Sequence, residues 1–247
     1  MKKVGIIGYG EIGQSLEKLY LGRDFIIQIN DISLQKSEIE KDVDILNIAI
    51  PFTSKDKFVE IVSNYINELT PQLTIIHSTV IPGTTLEIIK KTKNDLIVHS
   101  PVRGVHPNLY EGLKTFVKFI GSDNKEATAI TVNHYTDIEI KSQIFETSKA
   151  TELAKVLSTT YYGMCIAFHN DINKLCIEQG VKFEEVATKW NKTYNEGYSK
   201  LGMSNVVRPV LYPPKEGKIG GHCVVPNAEL CKQFFESKVL DYILELK

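Results

Sequence analysis

Along the first half of the chain, short apolar runs alternate with amphipathic stretches. Residues 4–7, 25–29, 43–50, 73–77, 96–99 and 116–120 are strand-length and rich in β-branched side chains. Their apolar positions are consecutive instead of alternating, which suits strands buried on both faces, as a parallel sheet requires. The intervening stretches 11–22, 54–69, 84–91 and 124–134 have helical spacing. This repeated β-α order predicts an α/β class domain built on a doubly wound parallel sheet.

After about residue 147 the texture changes. Leu153, Leu157, Tyr161, Met164, Phe168, Ile172 and Leu175 recur at spacings 4-4-3-4-4-3, two 11-residue periods, and make a nearly straight apolar stripe. The pattern predicts one helix over 148–178, a rod of roughly 45 Å. Such a rod is longer than a small domain needs for itself, so its stripe is expected to pack on a second subunit. Gly180 then stops the helix, 183–201 predicts another, 206–221 is a Pro/Gly/Lys-rich loop, and 228–246 predicts a final helix. The expected division is 1–147 for the sheet domain and 148–247 for a helical domain serving dimerisation and substrate.

The 247 residues carry 29 basic and 30 acidic side chains, a net charge of −1, and no dense cationic run. Nucleic acid and anionic membrane both need a concentrated basic face, so neither is an expected partner. A small molecule is. Cys165, Cys176, Cys223 and Cys231 form no C-x-x-C pair and no zinc-spaced ladder, so no metal is expected and reduced thiols in the cytoplasm are. The N-terminal apolar run is too short for a secretory signal, and no later one is long enough to span a bilayer.

Gly8-Tyr9-Gly10-Glu11-Ile12-Gly13 has the spacing G-x-G-x-x-G directly after the first strand and at the mouth of the first helix. Glycines there allow a tight turn, close backbone approach to a pyrophosphate and close helix packing, while the helix N-terminus attracts the anion. Asp31, 18 residues past Gly13, ends the second strand where an acid can accept hydrogen bonds from a ribose. No Arg stands beside it to bind a 2′-phosphate, which favours NAD over NADP. The sheet domain is thus expected to be of the Rossmann type. The plain alternative is a Gly-rich turn beside an exposed acid.

On the long helix, Glu152, Lys155, Thr159, Gly163, Ile166 and Asn170 share the side opposite the apolar stripe. Lys155 could stabilise an oxyanion or trade a proton, or it could be a solvated or Glu152-paired lysine. Gly220-Gly221-His222-Cys223 follows a loop carrying Arg208, Tyr212, Lys215 and Lys218. Paired glycines let backbone approach a ligand, a thiol beside His and cations can act as a nucleophile, and the cations suggest an anionic substrate. A flexible surface loop with a small buried Cys fits the same residues.

These segments occur in a familiar order. The glycine turn, the run 43–51 ending at Pro51, His77-Ser78-Thr79-Val80-Ile81-Pro82-Gly83-Thr84-Thr85, Ser100-Pro101-Val102-Arg103, Glu152-Leu153-Ala154-Lys155, Ile166-Ala167-Phe168-His169-Asn170-Asp171 and Gly220-Gly221-His222-Cys223 together resemble the UDP-glucose/GDP-mannose dehydrogenase family over almost the whole chain. The resemblance implies an N-terminal NAD domain, a homodimer formed through the long helix, and oxidation of a sugar-nucleotide primary alcohol to a carboxylate. It implies cofactor contacts from Gly8, Gly10, Glu11, Ile12, Gly13, Asp31, Pro51 and Thr79. Cys223 would attack an aldehyde to give a thiohemiacetal and then a thioester, Lys155 would stabilise the oxyanion, and Thr79 would stand near the reacting water. Asn227 holds the position of a helper to that chemistry, and Arg103, Thr159, Arg208, Lys218, Gly220, Gly221 and His222 would contact substrate.

The chain departs from the family pattern at four places. Val102 stands for a Glu, Asn227 for an Asp, Thr159 for an Asn, and family members usually continue past residue 247 into a second Rossmann-like domain that completes the nucleotide site. A smaller or unusual sugar derivative therefore becomes an expected substrate. Two other readings stay open. One is a two-electron hydroxy-acid or imine oxidoreductase using Lys155 as acid/base, and the other is a non-catalytic NAD-binding protein.

Overall fold

A computed structural model describes residues 1–34, 39–220 and 223–247. Two compact units divide the chain, Met1–Lys155 and Val156–Lys247. Among the described residues no helix is long and apolar enough to cross a membrane.

The first unit is built on β1 (Lys2–Ile7), β2 (Phe25–Asn30), β3 (Ile45–Ile48), β4 (Leu73–Ile76), β5 (Ile97–His99), β6 (Lys118–Gly121) and β7 (Ser142–Phe145), in the sheet order β2-β1-β3-β4-β5-β6-β7. Helices α1 (Glu11–Tyr20), α2 (Lys55–Leu69), α3 (Thr84–Thr92), α4 (Leu109–Thr115) and α5 (Lys125–Asp137) intervene. Strands β3, β4 and β5 are buried at every position, so these largely apolar strands meet helices on both faces. One face packs Leu16, Leu19 and Tyr20 of α1 with Ala127 and Tyr135 of α5. The other packs Phe58, Val62 and Ile66 of α2 with Ile88 of α3.

The sheet is the expected doubly wound, mostly parallel one, with a single antiparallel pair. β5 and β6 run antiparallel, in register at His99 and Gly121, while β6 and β7 are parallel to each other. Residues 100–117, which contain α4, return the chain so that β6 enters from the opposite end. β7 and α4 are additional to the expected elements.

Helix α6 spans Ser148–Glu178, 31 residues, with the predicted bounds. Its two sides are reversed from what apolar patterning implies for a monomer. Leu153, Leu157, Tyr161, Phe168 and Leu175 of the apolar stripe are all exposed, whereas Glu152, Gly163 and Asn170 on the opposite side are buried. In the second unit α6 continues past Val156 and is followed by a π-helical segment (Glu184–Lys189), α7 (Trp190–Lys200), α8 (Val224–Lys232) and α9 (Lys238–Leu244). The expected single helix over 183–201 therefore begins with a π-helical stretch. The expected final helix over 228–246 is two, because Ser237 caps α9 by accepting from Val239 N at 3.2 Å. Their core joins Val156, Ala167, Val224, Ala228, Cys231, Leu240 and Ile243.

Candidate active site

In the first unit the glycine turn has the geometry that a dinucleotide site needs. Gly8 takes φ +94, and a Cβ there would stand 2.5 Å from Ala49 O. A Cβ on Gly13 would stand 2.0 Å from Gly8 O, so the start of α1 touches the turn itself. A Cβ on Gly10 meets nothing within 4 Å, which leaves open space at the N-terminus of α1. Gly8, Pro51 and Thr79 follow the carboxyl ends of the adjacent parallel strands β1, β3 and β4, the edge where open α/β sheets bind ligands.

Asp31 joins this turn directly. Its Oδ2 accepts from Tyr9 N at 2.6 Å, and its Oδ1 accepts from Ser33 N at 2.8 Å and Ser33 Oγ at 2.5 Å. The Ser33 hydroxyl, then the Tyr9 and Ser33 amides, hold its carboxyl below the ordinary range. An ionised acid is therefore fixed at the end of β2 against the turn. Glu11 opens α1 and lies 2.5 Å from His106 Nδ1, and Ile12 packs on the core. These residues fit a bound dinucleotide. Gly10 and the first amides of α1 would face its pyrophosphate and Asp31 its adenosine ribose.

The first turns of α6 close over the same sheet edge. Glu152 is fully buried, with Oε2 accepting from Gly83 N at 2.5 Å and Oε1 from Thr85 N at 2.8 Å and Thr85 Oγ1 at 2.6 Å. Burial raises its pKa against those hydrogen bonds. Glu152 is thus held by α3, and Lys155 instead donates to Val102 O at 2.8 Å. Val102 is buried in the core, and Arg103 donates to Val117 O at 2.5 Å with its guanidinium 4.1 Å from the Phe119 ring centre. Thr79 is half-buried beyond β4.

In the second unit Cys223 is the N-cap residue of α8 and is half-buried, while Cys165, Cys176 and Cys231 are buried free thiols. Gly163 sets how near α8 comes, because a Cβ there would stand 2.6 Å from Val224 Cγ1. One turn away, Asn227 Nδ2 donates to Thr159 Oγ1 at 2.9 Å. A cleft of about 560 Å³ is lined by Tyr162, Ile166, Tyr212, Lys215, Lys218 and Gly220 among others. Asn170 beneath the Lys215–Gly217 turn has a buried Nδ2 with no hydrogen-bond partner, and a Cβ on Gly217 would lie 3.6 Å from its Oδ1. Arg208 lies 3.8 Å from the ring centre of Tyr194, and its backbone is strapped to α7 by both atoms of the Asn195 amide at 2.8 and 2.9 Å. Gly221 and His222 lie outside the described residues.

No protein-family model matches the chain. Among curated proteins, UDP-N-acetyl-D-mannosamine dehydrogenase of Methanococcus maripaludis is 25% identical over 210 residues, covering 80% of this chain and 46% of that relative. The UDP-D-ManNAc dehydrogenase structure from Pyrococcus horikoshii superposes with a TM-score of 0.76 at 17% identity, covering 99% of this chain and 68% of that one. By sequence and by fold the chain is similar to UDP-sugar dehydrogenases, in line with the resemblance of its motifs to the UDP-glucose/GDP-mannose dehydrogenase family. It spans about half the length of the curated relatives it matches. The 3-hydroxyisobutyrate dehydrogenase of Mycobacterium tuberculosis has a TM-score of 0.72 at 13% identity over 99% of this chain and 92% of its own, a likeness of fold alone.

Against the pattern of that family, Thr159 and Asn227 are a linked pair, since their side chains bond to each other. At this contact between α6 and α8 the chain offers an amide and a hydroxyl and no carboxylate. Sequence reasoning missed a buried polar cluster of Asn47, His77, His99, Ser100 and Lys118 under the ends of β3 to β6. A lysine at the head of a strand that sits inside an apolar run was its one visible signal.

Proposed function

We propose that the chain is an NAD-dependent dehydrogenase that oxidises a CH–OH group of an anionic sugar derivative, a nucleotide sugar being the substrate class its relatives' names indicate. The observation that carries this reading is the glycine turn with Asp31 fixed against it at 2.6 Å from Tyr9 N. NAD, when bound, supplies the hydride acceptor. Gly8, Gly10, Glu11, Ile12, Gly13, Asp31, Pro51 and Thr79 would hold it. Lys155, oriented by Val102 O, would stabilise negative charge on the oxygen of the reacting carbon, and Cys223 would be the nucleophile toward an aldehyde. Lys218, Gly220 and Arg208 would serve the substrate's anionic part, Arg103 and Thr159 would contact substrate, and Asn227 would assist the chemistry. The exposed stripe of α6 supports a homodimer formed through that helix, and four free thiols suit a reducing cytoplasm.

A second reading has its own support. Val102 is aliphatic and buried, the Asn227 amide is committed to Thr159, and both Glu152 oxygens are taken by Gly83 and Thr85. These positions offer no free carboxylate to activate water on a thioester, which favours a two-electron oxidation that stops at the carbonyl. One assay separates the readings. NADH formed per substrate consumed, followed at 340 nm over UDP-sugars, GDP-mannose and small sugar acids, is two for the thioester route and one for the shorter route. Cys223→Ser abolishes acid formation in the first and spares turnover in the second. No hydride transfer with any substrate, despite NAD binding, supports the non-catalytic alternative.

A further inference from the structure

Lys118, the first residue of β6, is 3% exposed and makes no ion pair among the described residues. Its Nζ donates to Ser100 O and lies 3.2 Å from His77 Nδ1. The surrounding network fixes which atom donates. Asn47 Nδ2 donates to Gly5 O at 3.3 Å and Tyr20 Oη at 3.2 Å, so Asn47 Oδ1 is the acceptor for His77 Nε2 at 2.9 Å. His77 therefore carries its proton on Nε2, and its bare Nδ1 accepts from Lys118.

Ser100 is also gripped from its side chain. Tyr135 Oη donates to Ser100 Oγ at 2.8 Å, and Ser100 Oγ donates to Phe119 O at 2.6 Å. Two residues further on, Lys155 Nζ donates to Val102 O. Two amines thus hold alternate carbonyls of the tripeptide 100–102, and Pro101 between them fixes its own φ and offers no N–H. The β5–β6 ladder is in register at His99 and Gly121 alone, so beyond it a side chain holds the Ser100 carbonyl.

As a device for stability this is poor. A buried amine without a counter-charge disfavours folding, and a methionine would fill the same space. Burial first, then the charges of Lys155 and Arg103, push the Lys118 amine far below the ordinary lysine range. Ser100 O and His77 Nδ1 are two acceptors for its N–H groups. His77 at the end of β4, His99 on β5, Tyr135 on α5, Arg103 after β5 and Lys155 on α6 are the titratable groups around it, and none is a carboxylate. Burial lowers His99 to about 3, so that imidazole is neutral as well.

We propose that Lys118 is a positioning residue: by holding Ser100 O it fixes the strand end whose next free carbonyl, Val102 O, orients the Lys155 ammonium. The inference rests on Lys155 as the reacting cation, and its test is readable without turnover. The full chain is labelled with ¹³C at lysine Cε and titrated by NMR as wild type, Lys118→Met, Lys118→Gln and Lys155→Met, the last assigning the Lys155 signal. Lys118→Met should melt no lower than wild type, remove one signal that titrates below the ordinary lysine range, and move the Lys155 midpoint by about 0.5 pH unit or more. Lys118→Gln, which keeps a donor to Ser100 O, should restore the midpoint, and Lys118→Leu, which also lacks the donor, stands in if the methionine variant does not fold. With an active substrate, Lys118→Met should lower kcat about tenfold while KM for NAD stays within about twofold. A Lys155 midpoint unmoved in the variant that removes the donor, or moved as far in Lys118→Gln, overturns the proposal. Lack of turnover with a moved midpoint counts against the dehydrogenase reading alone.

Discussion

The glycine turn of the first unit and the α6–α8 contact of the second both bring elements close, and they differ in what enforces the approach. At the turn, backbone meets backbone: Gly13 lies against Gly8 O and Gly8 against Ala49 O. At the helix contact, backbone meets side chains, as Gly163 lies against Val224 and Ile243 while Thr159 bonds Asn227. Rigid backbone leaves one residue type in place, whereas side chains can change together. The cofactor end therefore admits few residue types, whereas the helix contact rests on a pair of side chains that could change together.

The largest effect should come from Gly13→Ala. Its Cβ would sit 2.0 Å from a carbonyl oxygen that cannot move without opening the turn. NAD affinity should fall by about a hundredfold or more, and titration calorimetry reads it. An affinity unchanged in a folded variant would break the comparison at its stronger side. Gly163→Ala should be milder, because Val224 Cγ1 at 2.6 Å belongs to a side chain. Overpacking there should cost about 1–3 kcal/mol, seen as a lower urea midpoint at unchanged m. A larger loss than Gly13→Ala shows would reverse the order of the two regions.

Asp31→Asn sharpens the cofactor side. The amide cannot accept as a carboxylate does from Tyr9 N and Ser33, so NAD affinity should drop about tenfold and the preference over NADP should narrow. The smallest effect is one of pH. Burial raises Glu152 above its ordinary 4.5, so the folded chain keeps that proton at higher pH than the unfolded chain does. Its share of stability is present below pH 4.5 and is lost as pH rises through the raised folded value. Glu152→Gln should remove that slope from denaturation curves taken across the weakly acidic range.

The sequence carried the parts that one local period or one backbone constraint decides. Helix α6 was legible to the residue because its stripe repeats without interruption, and the turn was legible because its glycines follow a strand. Strand β7 was not, since Ser142–Phe145 is short and half-exposed at the sheet edge. Helix α4 has seven residues and no side-chain cap, so packing against α1 defines it more than any local signal. The reversed direction of β6 has no signature in a single strand. The break before α9 did have one, the capping serine Ser237. The cluster around Lys118 joins residues 41 positions apart in the chain, and only the folded sheet brings His77 to that amine.

The measurement closest to the central claim is calorimetric titration of the full chain with NAD and, separately, NADP. The account predicts saturable binding of NAD, tighter than NADP, and its loss in Gly13→Ala. Absence of NAD binding to a folded wild-type chain, or binding that survives Gly13→Ala intact, would contradict it.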